Sequence, residues 1–141
     1  MRGEYDMKKV ESIVIPLPLA ATKAYKDVTL NKYISAERSN RFAAASLKRQ
    51  ATDNCALWVK NAMNDGLDWQ WPADLWFHWH VPNNRIDPDN IAFQKKFILD
   101  GMQAAKMLPN DDMKHIRRFH DAFMVEPAGH GYVEIKQERS E

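Results

Sequence analysis

The sequence predicts an α+β fold: a single domain, 1–141, with one small β-sheet and two packed helices in the order β-α-β-α-β-β. Two periodicities alternate along the chain. A long stretch around residues 40–63 repeats its apolar positions every three or four residues, and Leu75 to Val81 repeats every two. Turn-forming Gly, Pro, Asn and Asp clusters separate these segments. At 141 residues the chain buries a real core without disulfides or structural metal, and 45% hydrophobic with 28% charged residues is the composition of an ordinary soluble protein.

Taken in order, Ser12 to Pro16 reads as a short strand closed by prolines. Pro16 to Tyr33 reads as irregular, with Lys23, Lys26 and Lys32 exposed. Ser35 to Asn40 offers capping side chains for a long helix from about Asn40 to Met63. Ala44, Leu47, Ala51, Cys55, Trp58 and Ala62 form its apolar stripe; Arg41, Lys48, Arg49 and Lys60 lie outside it. Asn64-Asp65-Gly66 ends it. Leu75 to Val81 reads as a strand with Leu75, Phe77, Trp79 and Val81 facing the core and Trp76, His78 and His80 on the other face. No third ligand accompanies the two histidines at a known spacing, so zinc is not the favoured reading. Asp87 to Lys106 reads as a second helix, with Ile91, Ile98, Met102 and Ala105 on its apolar line. Ile116 to Val125 and Tyr132 to Ile135 read as strands joined in a hairpin through Ala128 to Gly131, and Lys136 to Glu141 as a fraying tail.

Net charge is +1, so a globally basic nucleic-acid binder is not indicated; a DNA surface requires charge sorted onto one face. A single cysteine, Cys55, excludes an internal disulfide and a Cys-rich zinc site, and its place on the apolar stripe makes it a core residue rather than a nucleophile. The apolar run Ile13 to Leu19 is too short and too proline-broken for a signal peptide or membrane span, so the expected location is cytoplasmic.

The chemistry concentrates around the second helix. Arg85-Ile86-Asp87-Pro88-Asp89-Asn90 puts two carboxylates one residue apart at its mouth, and Asn110-Asp111-Asp112 follows it. Carboxylates plus a phosphate substrate complete the shell of Mg²⁺, which suits metal-assisted phosphodiester hydrolysis. The same residues also make an ordinary helix start and an ordinary turn. The Gly and closing Glu of an EF-hand are missing. On an ideal helix Asp89, Lys96 and Asp100 share a face while Lys95 turns away. Asp100 lies roughly 16 Å along the axis from Asp89, too far to share an ion within one subunit.

The run RIDPDNIAFQKKFILDGMQAAKMLPNDD resembles the core motif of the RusA family of Holliday junction resolvases: Asp-x-Asp-Asn, a helix carrying a Lys and an Asp, and a loop ending in Asp-Asp. The resemblance covers Arg85 to Ile116, with three extra residues, close to one helical turn, between the first motif and the Asp that follows the lysine. It implies a Mg²⁺-dependent endonuclease, with Mn²⁺ as a substitute, that resolves four-way DNA junctions by paired nicks as a homodimer. It further implies Asp87, Asp89 and one of Asp111 and Asp112 as metal ligands, and Lys96 as the catalytic lysine. Asn90 is expected to hold a carboxylate in place. Arg41, Lys48, Arg49, Arg85, Arg117 and Arg118 are candidate phosphate contacts. The alternatives are a branched-DNA binding module that does not cut, and a metal-dependent nuclease of flap or single-strand specificity.

Overall fold

Eight elements run in the order β1 (Ser12–Pro16), α1 (Leu30–Ser39), α2 (Arg41–Asn64), β2 (Ala73–Val81), α3 (Pro88–Ala92), α4 (Lys95–Ala104), β3 (Ile116–Val125) and β4 (Tyr132–Arg139). They come from a computed structural model, which describes residues 10–139. The fold class is α+β as expected.

The sheet order is β1-β4-β2-β3. Strand β4 runs antiparallel to both β1 and β2, while β3 runs parallel to β2. This overturns the predicted β3–β4 hairpin. Burial gives the reason: Val133 and Ile135 of β4 are fully buried, whereas Phe119, Phe123, Met124 and Val125 of β3 are exposed. The strand with the stronger claim on the core takes the central place. The connection is stitched across the sheet end, with Glu126 N–H donating to Val81 O at 2.8 Å and Leu17 N–H donating to Gly131 O at 2.9 Å. Strand β4 also continues through Lys136 to Arg139, so those residues are no frayed tail; Ser140 and Glu141 lie outside the described residues.

The alternation of β2 is as predicted: Leu75, Phe77 and Trp79 are fully buried. With Ile13, Ile15, Val133 and Ile135 they form the sheet's contribution to the core, and α2 and α4 supply Leu47, Ala51, Cys55, Val59, Phe97, Ile98 and Met102. Asn40 caps α2 as expected, its side chain accepting from Phe42 N–H at 2.8 Å. Helix α1 falls partly in the stretch predicted to be irregular. Its sequence is largely polar and buries only Ala36. What holds it is tertiary: Tyr33 packs against Phe93 and Phe97, and Asn31 N–H donates to Asn90 Oδ1 at 2.9 Å.

The predicted helix from Asp87 to Lys106 is two helices. Gln94, Lys96 and Phe97 donate to carbonyls three residues back, so the chain tightens into a 3₁₀-like turn at Phe93–Gln94 before α4 begins. Both joint residues keep right-handed helical dihedrals, so the axis is interrupted rather than reversed. Helix α4 lies against α2 at very close range. A Cβ on Gly101 would stand 2.5 Å from Cys55 Cβ and 2.8 Å from the Ala56 nitrogen, so only glycine fits there.

Candidate metal and nucleic-acid site

The motif's two acidic clusters lie at opposite ends of the β2–α3–α4–β3 unit. Ile86 and Ile91, on either side of Asp87 and Asp89, line a cavity of about 230 Å³ together with Val81, Pro82, Leu17 and Gly131. That places the first cluster beyond the C-terminal end of β2. At the other end, Ala73 N–H donates to His115 O at 2.9 Å, and His115 N–H donates to Asp112 O at 3.1 Å. Trp71 Nε1 donates to Met107 O at 3.1 Å, which ties the exit of α4 to the same end. Strand β2 has nine residues, and eight rises of about 3.3 Å separate the two ends by roughly 26 Å. Asp87 or Asp89 therefore cannot share an ion with Asp111 or Asp112 of the same chain. Among the described residues, no three His, Cys, Asp or Glu side chains stand close enough together to hold a metal ion.

Each cluster has its own geometry. Pro88 at the first helical position fixes the start of α3, and Asp87 is its N-cap residue. The Asp87 side chain makes no capping hydrogen bond, so its carboxylate is free for another partner. Asp89 sits in the first turn and accepts from Asn90 N–H at 3.0 Å. Both are exposed. Asn90 meets Asp89 through its backbone N–H alone: its side chain is buried, and its Oδ1 caps α1 through Asn31. The motif asparagine thus anchors α1 to α3.

In the second cluster, Asp112 Oδ1 bonds His115 Nδ1 at 2.6 Å, and Asn110 Nδ2 donates to Asp112 Oδ2 at 3.1 Å. The His115 hydrogen bond leads the effects that lower the Asp112 pKa, so this carboxylate stays ionised at neutral pH. Asp111 is exposed; its backbone N–H donates to Asn110 Oδ1 at 3.0 Å. Asp112 is thus oriented by its neighbours, while Asp111 projects into solvent.

Between the ends sits a pair absent from the sequence reading. Lys95 Nζ donates to Asp121 Oδ2 at 2.7 Å, and Trp79 Nε1 donates to Asp121 Oδ1 at 2.8 Å. The ammonium lies 5.1 Å from the Phe77 ring centre and 4.6 Å from that of Phe119. Lys95 is therefore no ordinary surface lysine. Lys96, one residue on, is exposed in the first turn of α4. The signal for Asp121 was its register: it falls on the same β3 face as Phe119 and Phe123, an acid in an apolar line that calls for a partner.

The face of the sheet away from the helices carries a second polar network. Asp74 is buried, accepts from His120 Nε2 at 3.0 Å, and has Arg118 Nη1 at 3.8 Å. The His120 ring stacks on Trp76 with centroids 4.2 Å apart. His80 bonds Glu126 at 2.8 Å and stacks on Tyr132. His80 and His120 are thus committed to carboxylates and aromatic rings, and His78 stacks on Trp76 with centroids 5.8 Å apart. Cys55 is buried, and burial, with Asp100 adding to it, pushes its thiol up to about 12, so it remains a protonated core residue at neutral pH.

The basic candidates fall in three places. Arg85 is exposed two residues before Asp87; Arg117 and Arg118 are exposed at the start of β3, beside the Asp111–Asp112 loop; Arg41, Lys48 and Arg49 are exposed along the first half of α2. No helix among the described residues is long and apolar enough to cross a membrane. No family model matches the chain, and no curated protein matches it either.

Proposed function

We propose that this chain is a Mg²⁺-dependent structure-specific endonuclease that cuts four-way DNA junctions, as its RusA-like motif implies. One observation carries the reading: each acidic cluster of the motif is accessible and has exposed arginines near it in the chain, Arg85 before Asp87 and Asp89, Arg117 and Arg118 after Asp111 and Asp112. Paired carboxylate and guanidinium groups suit a divalent ion and the phosphate it acts on. Mg²⁺ is commonly held by one or two carboxylates together with substrate phosphates, so Asp87 and Asp89 form the nucleus of the site. A bound Mg²⁺ or Mn²⁺ would supply water activation and charge neutralisation at phosphorus. The protein's own part is to fix the carboxylates at the start of α3, to place phosphates with the arginines, and to offer the Lys96 ammonium to charge developing on the leaving oxygen.

Placing the clusters beyond opposite ends of β2, roughly 26 Å long, gives the homodimer a structural motive. A site that uses both must draw Asp87 and Asp89 from one chain and Asp111–Asp112 from another. A twofold dimer then holds two such sites, which is what two symmetric nicks require. A non-cleaving branched-DNA binder is the second reading, favoured by the incomplete ligand set of one chain.

The test is cleavage of labelled four-way, flap and linear duplex DNA with Mg²⁺ or with EDTA. Asp87→Asn and Asp89→Asn should each abolish cleavage while junction binding survives, because amides are weak ligands for hard cations. Mixing Asp89→Asn with Asp112→Asn/Asp111→Asn chains then reports on site composition. In a shared-site heterodimer one site loses both clusters and the other keeps both, so single-strand nicking returns to about a quarter of wild type after random exchange, without paired nicks. Sites built within one chain return none. Full activity in Asp89→Asn would remove the metal site from consideration; metal-independent binding without cutting would favour the second reading.

A further inference from the structure

Strand β3 closes the sheet on one side, with β2 as its only neighbour among the described residues. It is ten residues long, and its pairing with β2 is regular from Arg118 to Val125. Edge strands are normally shielded by prolines, bulges, inward lysines or shortness. This one has no proline, its one register shift lies at the Ala73/Asp74 end, and it exposes Phe119, Phe123, Met124 and Val125. Asp121, the one acid on it, has its charge turned inward to Lys95.

From this edge we infer that β3 pairs antiparallel with β3 of a second copy of this chain, joining two four-stranded sheets into one of eight. Charge selects the direction. Arg117 and Arg118 lie at the start of the strand and Glu126 just past its end; Glu126 is held by His80 through one oxygen yet keeps 44% of its side chain exposed. Antiparallel pairing sets each arginine end against the partner copy's glutamate end, whereas parallel pairing sets like against like. A twofold register centred on Ala122, the smallest side chain on the strand, puts Arg118 opposite Glu126, Phe119 opposite Val125, and His120 opposite Met124 in the two copies. Opposed residues then share a face, as antiparallel pairing demands.

Direction also bears on the split site. Reversing one β3 against the other brings the Asp111–Asp112 end of one chain to the Asp87–Asp89 end of the other. The interface itself needs neither DNA nor metal, so its test is independent of the nuclease reading. Sedimentation of the full chain at micromolar concentration, without DNA or divalent ions, should give a dimer. Phe123→Lys/Val125→Lys should give a folded monomer with a far-UV spectrum like the wild type. Ala122→Cys should form a disulfide-linked dimer on mild oxidation, because directly opposed strand positions have Cβ atoms about 4.5–5.5 Å apart and Cys55 is buried. A wild-type monomer overturns the inference. So does a dimer that survives Phe123→Lys/Val125→Lys and leaves Ala122→Cys uncrosslinked. A dimer lost in the first variant and linked in the second, with junction cleavage absent, upholds the interface and rejects the nuclease.

Discussion

Two adjacent lysines stand in opposite surroundings: Lys95 is paired with Asp121, and Lys96 is exposed. Helical spacing correctly turns Lys95 away from the acidic cluster, but its destination was hidden, because Asp121 lies 26 residues later on another element. The Lys95 side chain is only 15% exposed and shares Asp121 with the Trp79 indole. Removing it leaves a largely covered carboxylate with one donor and strips a cation from two aromatic rings. Lys95→Ala should therefore cost about 1–3 kcal/mol in urea unfolding, moderated by the remaining solvent access. Lys96→Ala should leave the unfolding midpoint unchanged and instead slow single-turnover cleavage of pre-bound junction DNA, by about 2–4 kcal/mol of barrier. The reverse pattern, a stable Lys95→Ala that cuts slowly, would exchange the two roles.

Among the elements, α2 and β2 were legible because each is long and carries a clear period; against the predicted faces, Trp58 and Val81 are only partly buried, while Ala56, Val59 and His80 are buried as well. The break between α3 and α4 was not, because three-residue hydrogen bonds leave the apolar line Ile91, Ile98, Met102 and Ala105 intact. Nor was α1, whose order comes from Asn90 and two phenylalanines far along the chain. The fit of α2 on α4 was equally invisible, since a glycine inside a helix announces nothing about its neighbour. Gly101→Ala raises helix propensity yet should destabilise, because the new methyl meets the Cys55 Cβ and the Ala56 backbone, neither of which can rotate away. A loss of about 1–3 kcal/mol is the usual cost of overpacking, read as a lower melting temperature. An unchanged or higher melting temperature would mean that the helices separate freely.

For the molecule as a whole, the sequence sufficed for the α+β class and the single four-strand sheet, while the sheet order depended on how six residues, Glu126 to Gly131, cross the end of β2. The acidic clusters stand at opposite ends because α3 and α4 cross between the parallel strands β2 and β3, so the candidate site was legible in its residues but not in its assembly. Charge behaves similarly. A net charge of +1 gives no global attraction to DNA, so the proposed junction binding requires arginines and lysines gathered on one surface. Replacing Arg41, Lys48, Arg49, Arg85, Arg117 and Arg118 by Ala should weaken junction binding and flatten its salt dependence, by roughly one unit of log–log slope for each DNA phosphate no longer neutralised. If affinity and slope both survive, the DNA surface lies elsewhere.

The position of β4 reaches beyond the finished structure. This strand follows β1, β2 and β3 in the chain, yet it is the strand that joins the sheet, since β1 and β2 each meet β4 and not one another. Until β4 is made, β1 has no strand partner and β2 has a partner on one side alone. The sheet therefore closes by a long-range insertion of β4 between them, the slow and aggregation-exposed kind of step.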